Sequence, residues 1–379
     1  MSAVDSLDPT VRALCLGART RPTERATADL RTLGPAIDWP RLAALGHLHD
    51  VLPLLARSIP RAFDGPDASG PPAGWTEAVV RRRHATARRN GELASQLGRV
   101  LSAFDAAAFE VVPVKGLVVA DWAYDDLAAR PAADLDVLVR REGLAAARSI
   151  LRDLGYRQAP APTFTTLVHE FHDPPWYLGN GPDQVTLELH RALWSERFTR
   201  IPIDQIWERT SVRPFLAGSA RLLAAEDLLL HLAIHRSRSP LRLRWVVDVA
   251  EAVGRHGDEI DWPAVVGRAR HGGAATVLWV VLDLADRLLD APVPVAPLRA
   301  LRPSRLHRAM LDRTCGATAL FRPSDTLDQQ PHLTLRVLEQ DGARAIAGAL
   351  TSSVMRSARR VLHERGIRPV PGPEAALRD

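Results

Sequence analysis

Lysine is almost absent from this chain. Of its 49 basic side chains only Lys115 is a lysine, and the others are arginines scattered along 379 residues. The formal net charge of +5 therefore permits a nucleic-acid partner without favouring one. We interpret the basic C-terminal segment around Arg356, Arg359 and Arg360 as a solvated face, because no aromatic residues are interleaved with it.

Cysteine and long apolar runs are also scarce. The two cysteines, Cys15 and Cys315, form no CxxC motif, which argues against a disulfide framework or a cysteine zinc site. The first residues lack the basic and apolar regions of a secretion signal. The longest apolar stretch, residues 274–282, meets Asp283 before it could span a bilayer. We therefore expect a cytoplasmic protein with no membrane partner.

The hydrophobic pattern changes twice along the chain. It is helical over residues 1–108, mixed over 109–200 and helical again over 201–379. In the mixed segment, strands are predicted at 110–114, 135–139, 163–171 and 185–189, with a short helix after the first strand and another at 142–154. We predict an α+β fold in which a small mixed β-sheet core is flanked by N- and C-terminal helical regions.

Two aspartates open the second predicted strand, in the sequence Asp134-Leu135-Asp136. Side chains alternate along a strand, so Asp134 and Asp136 point to the same face. Neighbouring carboxylates repel each other and lose hydration on burial unless a cation offsets their charge. The pair is typical of a Mg²⁺ site, although solvated acids at a strand end are the ordinary alternative.

A third carboxylate, Glu188, interrupts the apolar strand predicted at residues 185–189 and shares a face with His190. An acid is unexpected in a buried strand unless it joins Asp134 and Asp136. We therefore predict that the three carboxylates hold two divalent cations and that His190, on the same face as Glu188, helps to bind the substrate.

The single lysine directly precedes Gly116, where the first predicted strand ends. Since arginine supplies positive charge elsewhere, Lys115 indicates a site that needs a compact ammonium, such as a contact with a triphosphate. Gly116 would let the backbone approach the phosphates. The alternative is an ordinary surface lysine that is present by chance in a chain that otherwise uses arginine.

Arg130 lies four residues before Asp134, in the segment that leads into the second strand. It is a candidate clamp for nucleotide phosphates. The competing interpretation is an ordinary ion pair with Asp125 or Asp126.

The residues quoted above resemble the signature of the uncharacterised nucleotidyltransferase family, which belongs to the DNA polymerase β-like superfamily. The matching residues are Lys115-Gly116, Tyr124, Arg130, the stretch 134–139, Leu154-Gly155-Tyr156 and Glu188-Leu189-His190. The resemblance is specific between residues 114 and 190, while 228–235, 243–250 and Asp261-Trp262 resemble the family's helical second half.

This resemblance implies transfer of a nucleoside monophosphate (NMP) from a nucleoside triphosphate (NTP) to an acceptor, with Mg²⁺ as cofactor. Asp134, Asp136 and Glu188 would be metal ligands, and Lys115 and Arg130 would contact phosphate. Family members often accompany natural-product and peptide-tailoring genes, which suggests a small-molecule, peptide or protein acceptor. The chain departs from the wider superfamily in having Lys-Gly where Gly-Ser or Gly-Gly is usual, and in the length of the segment 117–133.

Histidines elsewhere are not expected to bind zinc. His231 and His235 are four residues apart on a leucine-rich helix and are interpreted as core or supporting histidines. His169 and His172 are out of phase along an extended segment, so they cannot both face one metal unless a bulge intervenes.

Asp248 follows Arg244 at helical i,i+4 spacing, which is typical of a helix ion pair. A general base contributed by the helical region is the alternative.

Two other functions are compatible with these residues. A nucleotidyltransferase fold without catalysis would act as a nucleotide sensor or scaffold, and would bind NTP without transferring a nucleotide. An enzyme that modifies RNA ends would bind tRNA in a salt-dependent manner.

Overall fold

A computed structural model describes residues 7–65, 70–72, 74–159, 172–194, 199–237, 239, 241–321 and 338–341. The first described part is helical. It comprises α1 (Pro9–Gly17), α2 (Glu24–Leu33), α3 (Trp39–Leu48), α4 (Leu52–Ala62) and the long α5 (Trp75–Ala106). The hydrophobic pattern of α5 predicts a buried stripe of Leu93, Leu97, Val100, Leu101 and Phe104. Four of these residues are buried at helical spacing, and Leu101 is partly buried.

A five-stranded mixed sheet follows the N-terminal helices. Its elements are β1 (Val111–Val114), α6 (Gly116–Val119) with a π-helical turn (Ala120–Tyr124), β2 (Leu135–Val139), α7 (Leu144–Asp153), β3 (Arg157–Gln158), β4 (Trp176–Leu178) and β5 (Val185–His190). The strand order is β1-β2-β5-β4-β3. Only the β2–β5 pair is parallel, and every other pair is antiparallel.

The C-terminal part returns to helices after a small hairpin. It contains α8 (Ile203–Glu208), β6 (Ser211–Phe215), β7 (Gly218–Leu222), α9 (Ala225–Arg236), α10 (Leu243–His256), α11 (Trp262–Gly272), α12 (Ala275–Leu289), α13 (Val295–Leu301), α14 (Arg305–Cys315) and α15 (Ala317–Leu320). None of the helices in the described ranges is long and apolar enough to cross a membrane.

The predicted α+β class, with a small mixed sheet between helical regions, is confirmed. The strands expected at 110–114, 135–139 and 185–189 form as β1, β2 and β5. The helix after β2 ends as expected, with Gly155 at φ 88° where a residue with a Cβ would be strained. The boundaries at residues 108 and 200 stay predictions, and the strand predicted at 163–171 lies outside the described residues.

Two expectations about secondary structure were wrong. The short strands β3 and β4, which end the sheet beyond β5, were not predicted. In addition, β6 and β7 form a hairpin where only helices were expected after Pro202. The hairpin turns at Leu216-Ala217, with Leu216 at φ 51°. That turn lacks the asparagine or glycine that normally marks a two-residue hairpin loop, so the sequence contained no conventional turn signal.

Candidate functional site

The parallel pairing of β2 with β5 brings the predicted acids together. Asp136 lies directly opposite Glu188 in the register of the two strands. On the other side of β2, Asp136 is opposite Val114, the last residue of β1. Lys115 follows Val114 immediately, so the lysine comes from one neighbouring strand and the glutamate from the other.

The side chains of these residues are in direct contact. Asp136 Oδ1 accepts a hydrogen bond from Lys115 Nζ at 2.9 Å and lies 2.8 Å from His190 Nε2. His190 Nε2 is also 3.3 Å from Glu188 Oε2. Ligand atoms of Asp136, Glu188 and His190 all lie within 4.8 Å of one another, and we call these three residues the carboxylate cluster.

Asp134 borders the carboxylate cluster but is not one of its three members. Burial raises the pKa of Asp134 to about 6, and the negative charges of Asp136 and Glu188 contribute to the increase. The sequence predicted Asp134, Asp136 and Glu188 as the metal ligands. The group of close ligand atoms contains Asp136 and Glu188, with His190 in place of Asp134. The ligand role of Asp134 stays a prediction.

Charges within the site shift its acids and bases in opposite directions. Burial favours neutral Asp136, but Lys115 and the His190 hydrogen bond outweigh burial and hold the pKa of Asp136 far below its ordinary value. Burial and Lys115 both lower the pKa of His190, but its hydrogen bonds to Asp136 and Glu188 outweigh them and raise it. The site therefore favours charged Asp136 beside charged Lys115 and His190.

The turn that carries Lys115 has an unusual backbone. Lys115 has φ 54° and ψ −142°, a combination that glycine adopts easily and other residues rarely adopt. Gly116 follows at φ 22°, and a Cβ built on it would lie 3.4 Å from the carbonyl oxygen of Asp134. A lysine at a position that suits glycine indicates that its ammonium group is needed there.

Arg130 is buried, and its ion-pair partner comes from the C-terminal helices. Its Nε and Nη2 donate to the two carboxylate oxygens of Asp248 at 2.8 and 2.9 Å, and Nη1 donates to Gly116 O at 3.1 Å. Tyr124 Oη donates to Asp248 Oδ1 at 2.7 Å. We call Arg130, Asp248 and Tyr124 the arginine anchor.

Three expectations about neighbouring charges are corrected by these contacts. Arg130 does not pair with Asp125 or Asp126, whose arginine partners come from α4, α5 and α10. Arg244 pairs with Asp50 rather than with Asp248. Asp248 is fully buried and receives hydrogen bonds on both oxygens, so it is not placed to act as a general base.

The histidines of α9 lie in the interior, close enough to the site for its charges to affect them. Burial lowers the pKa of His231 to about 3, and Lys115 and His190 lower it further. Both ring nitrogens of His231 lack a hydrogen-bond partner within the described part of the chain. The expectation that His231 is a core histidine is confirmed. The expectation implied that its ring nitrogens would be hydrogen-bonded, and within the described residues they are not. His172 forms a β-bridge with His190, and His169 lies outside the described residues.

Comparison with known protein families agrees with this geometry. The family described as uncharacterised nucleotidyltransferase matches residues 35–290. The chain belongs to this family. The match includes β1, β2, β5 and α10, and thus both the carboxylate cluster and the arginine anchor. No curated protein matches the chain.

Two features of the site were missed by sequence reasoning. The contacts of His190 with both carboxylates were not predicted, although the shared strand face of Glu188 and His190 could have indicated them. Its expected role in substrate binding stays a prediction. The pairing of Arg130 with Asp248 had no local signal, because 118 residues separate them.

Proposed function

We propose that this nucleotidyltransferase family member transfers an NMP from an NTP to an acceptor, with Mg²⁺ as cofactor. The observation that supports it best is the juxtaposition of Asp136 and Glu188 in register on adjacent parallel strands, with Lys115 touching Asp136. An isolated pair of acids is common on protein surfaces. A buried aspartate and a partly buried glutamate, in register beside the chain's single lysine, are a more specific arrangement.

The donor set fits a divalent cation. Asp136 and Glu188 offer carboxylate oxygens, which Mg²⁺ prefers, and Asp134 adds a third carboxylate nearby. The raised pKa of Asp134 reflects burial and an excess of negative charge that a cation would offset. Two Mg²⁺ ions bound here would supply charge stabilisation for an attacking oxygen and a leaving pyrophosphate.

The protein's own residues then have distinct roles in the proposal. Asp136 and Glu188, with Asp134, hold the metal. Lys115 lies where its ammonium can contact a triphosphate as well as Asp136, and Gly116 permits close approach of the chain to phosphate. His190 fixes the orientation of both ligand carboxylates through its Nε2.

Arg130 is left out of the proposed phosphate contacts. The family resemblance implies such a contact, but Asp248 and Gly116 O engage its guanidinium on three nitrogens. The acceptor is proposed to be a small molecule, peptide or protein, in line with the natural-product setting that the resemblance suggests.

The test is transfer of label from each of the four NTPs, labelled on the α-phosphate, in the presence of Mg²⁺. Acceptors would include hydroxyl- and amine-bearing small molecules, peptides, tRNA and the protein itself. Glu188→Gln should abolish transfer, whereas Asp183→Asn, at an exposed acid just before β5, should retain it. Equal activity of wild type and Glu188→Gln would disprove the proposed site.

A nucleotide sensor is the second candidate, and one observation favours it. Asp136 is already neutralised by contacts with Lys115 and His190, so the site does not depend on a metal for charge balance at that residue. A sensor would bind NTP in calorimetry while transferring no label to any acceptor or to itself. A tRNA gel shift at low salt that salt abolishes would instead favour an RNA acceptor.

A further inference from the structure

The strained turn at Lys115-Gly116 needs an external support. Lys115 has φ 54°, which a residue with a Cβ keeps only where the surrounding structure holds it, whereas the glycine that follows adopts its φ of 22° without strain. The carbonyl of Gly116 accepts a hydrogen bond from Arg130 Nη1 at 3.1 Å. Arg130 therefore holds the residue that follows the lysine.

Arg130 is itself held on two sides. Asp248 of α10 pairs with its Nε and Nη2, and Asp248 also accepts the Tyr124 hydroxyl from the turn after α6. Arg130 and Asp248 have side-chain exposures of 5% and 0%. An unpaired charge at either position would be costly, so the pair has one stable arrangement.

The main chain around Arg130 is fixed by Asn90 of α5. Asn90 Nδ2 donates to Leu127 O at 2.7 Å and to Arg130 O at 2.8 Å, and Asn90 Oδ1 accepts from Ala132 N at 3.1 Å. Asn90 is completely buried. The segment that runs into Asp134 is therefore held by an N-terminal helix, and its arginine by a C-terminal helix.

We infer that Arg130 and Asp248 are positioning residues, which hold the Lys115-Gly116 turn so that the ammonium of Lys115 faces the carboxylate cluster. The expected loss of transfer rate rests on the proposed function. The expected loosening of the turn rests on the contacts alone. It assigns α10, outside the sheet region, a part in forming the site.

The decisive kinetic comparison is Asp248→Asn with Arg130→Lys. If Arg130 contacted phosphate, Asp248→Asn would release its guanidinium and leave NTP binding unchanged or tighter. A positioning role predicts that each variant lowers the transfer rate by roughly 10- to 100-fold, as loss of a supporting partner typically does. The double variant should then be no slower than the slower single variant, because both changes disrupt one unit.

Hydrogen exchange provides a readout that does not depend on activity. Asp248→Asn and Arg130→Lys should both speed amide exchange in peptides covering residues 111–124. Tyr124→Phe keeps the Arg130–Asp248 pair and should have a smaller effect, which preserves the test if a stronger variant fails to fold.

Asp227→Asn is the matched control. Asp227 is fully buried and accepts from Arg209 Nε and Nη2 at 2.7 and 2.9 Å, so it forms another bidentate pair, between the end of α8 and α9. Like Asp248, it also has a further partner, Arg268 Nη1 at 3.1 Å. Exchange over 111–124 that rises no more in Asp248→Asn than in Asp227→Asn would overturn the inference, whatever the activity. If the two variants exchange faster as expected while the wild-type protein transfers no label to any acceptor, the proposed function is wrong and the positioning role stands.

Discussion

Two buried polar groups lie on either side of the Lys115-Gly116 turn, and they differ in charge balance. The arginine anchor pairs one cation, Arg130, with one anion, Asp248, and the Tyr124 hydroxyl adds a neutral hydrogen bond. The carboxylate cluster and its neighbour Asp134 bring three acids together with Lys115 and His190. The anchor is satisfied by the protein itself, whereas the site has an acid whose raised pKa records a charge that the fold leaves uncompensated.

This difference in charge balance distinguishes a structural role for the arginine anchor from a ligand-binding role for the carboxylate cluster. A balanced buried pair fixes geometry and offers nothing to a ligand, while a group with excess charge gains from binding a cation. Removing the charge of Asp134 and removing the charge of Asp248 should therefore have opposite effects on the free energy of unfolding. Four predictions test this contrast.

The largest expected effect is on catalysis, from loss of a cluster acid. Under the proposed function, Glu188→Gln or Asp136→Asn should lower the rate of NMP transfer by at least roughly a thousandfold, because several kcal/mol of charge stabilisation are lost. Initial rates with saturating NTP and Mg²⁺ are the measurement. A loss of less than about tenfold would place the chemistry elsewhere.

The second effect is on stability, from breaking the arginine anchor. Asp248→Asn should lower the free energy of unfolding by about 3 kcal/mol, because it leaves the Arg130 charge buried and unpaired. Replacing both members, as Arg130→Met with Asp248→Leu, should recover much of that loss. Urea unfolding measures both.

The control for this prediction is Asp290→Asn. Asp290 pairs with Arg19 through a carboxylate that is 71% exposed, so this substitution should change the urea midpoint little. Equal destabilisation by Asp248→Asn and Asp290→Asn would contradict the distinction between a buried carboxylate and an exposed one.

The third effect has the opposite sign, because it removes charge from the crowded site. Folded Asp134 keeps its proton up to about pH 6, whereas in the unfolded chain it loses the proton near the ordinary value of 3.8. Between those values the folded state binds more protons, so rising pH favours unfolding. Without metal, Asp134→Asn should raise the free energy of unfolding at pH 7.5 by roughly 1–3 kcal/mol.

That gain should fade as the pH falls towards 4, where the wild-type carboxyl is protonated in the folded state. Saturating Mg²⁺ should also reduce it if Asp134 is a metal ligand, because the ion stabilises only the wild-type carboxylate. A gain that is independent of pH between 4 and 7.5 would refute the excess-charge interpretation. Exposed Asp258→Asn serves as the control.

The smallest effect concerns the backbone of the turn. Lys115→Gly and Lys115→Ala both remove the ammonium, but only glycine adopts φ 54° without backbone strain. Lys115→Gly should therefore be more stable than Lys115→Ala by about 1 kcal/mol, the reverse of the usual order in regular structure. Thermal unfolding of the two variants side by side decides this.

Much of the site could be predicted because it follows local rules. The alternation of side chains in β5 was enough to place Glu188 and His190 on one face, where their side chains meet. The same rule predicted a shared face for Asp134 and Asp136, of which Asp136 lies in β2 and contacts His190. The composition alone singled out Lys115. In contrast, the hairpin at 211–222 was missed because its Leu216-Ala217 turn lacks the residues that favour such turns.

Long-range pairing was beyond those rules. His190 and Asp136 are 54 residues apart, and Arg130 and Asp248 are 118 apart. Sequence spacing offered Arg130 a choice between phosphate and local acids, and offered Asp248 a helix partner in Arg244. In the folded chain Arg130 and Asp248 pair with each other instead of with those local partners.

The amino-acid sequence by itself determined which chemical groups are available and which face of its strand each acid occupies, since those depend on neighbours one or two residues away. Only the tertiary structure decided which charged side chains form pairs. In a buried, weakly screened interior, a group's pKa and its role depend on charges within a few ångströms. Here those charges come from strands and helices that are distant in the chain.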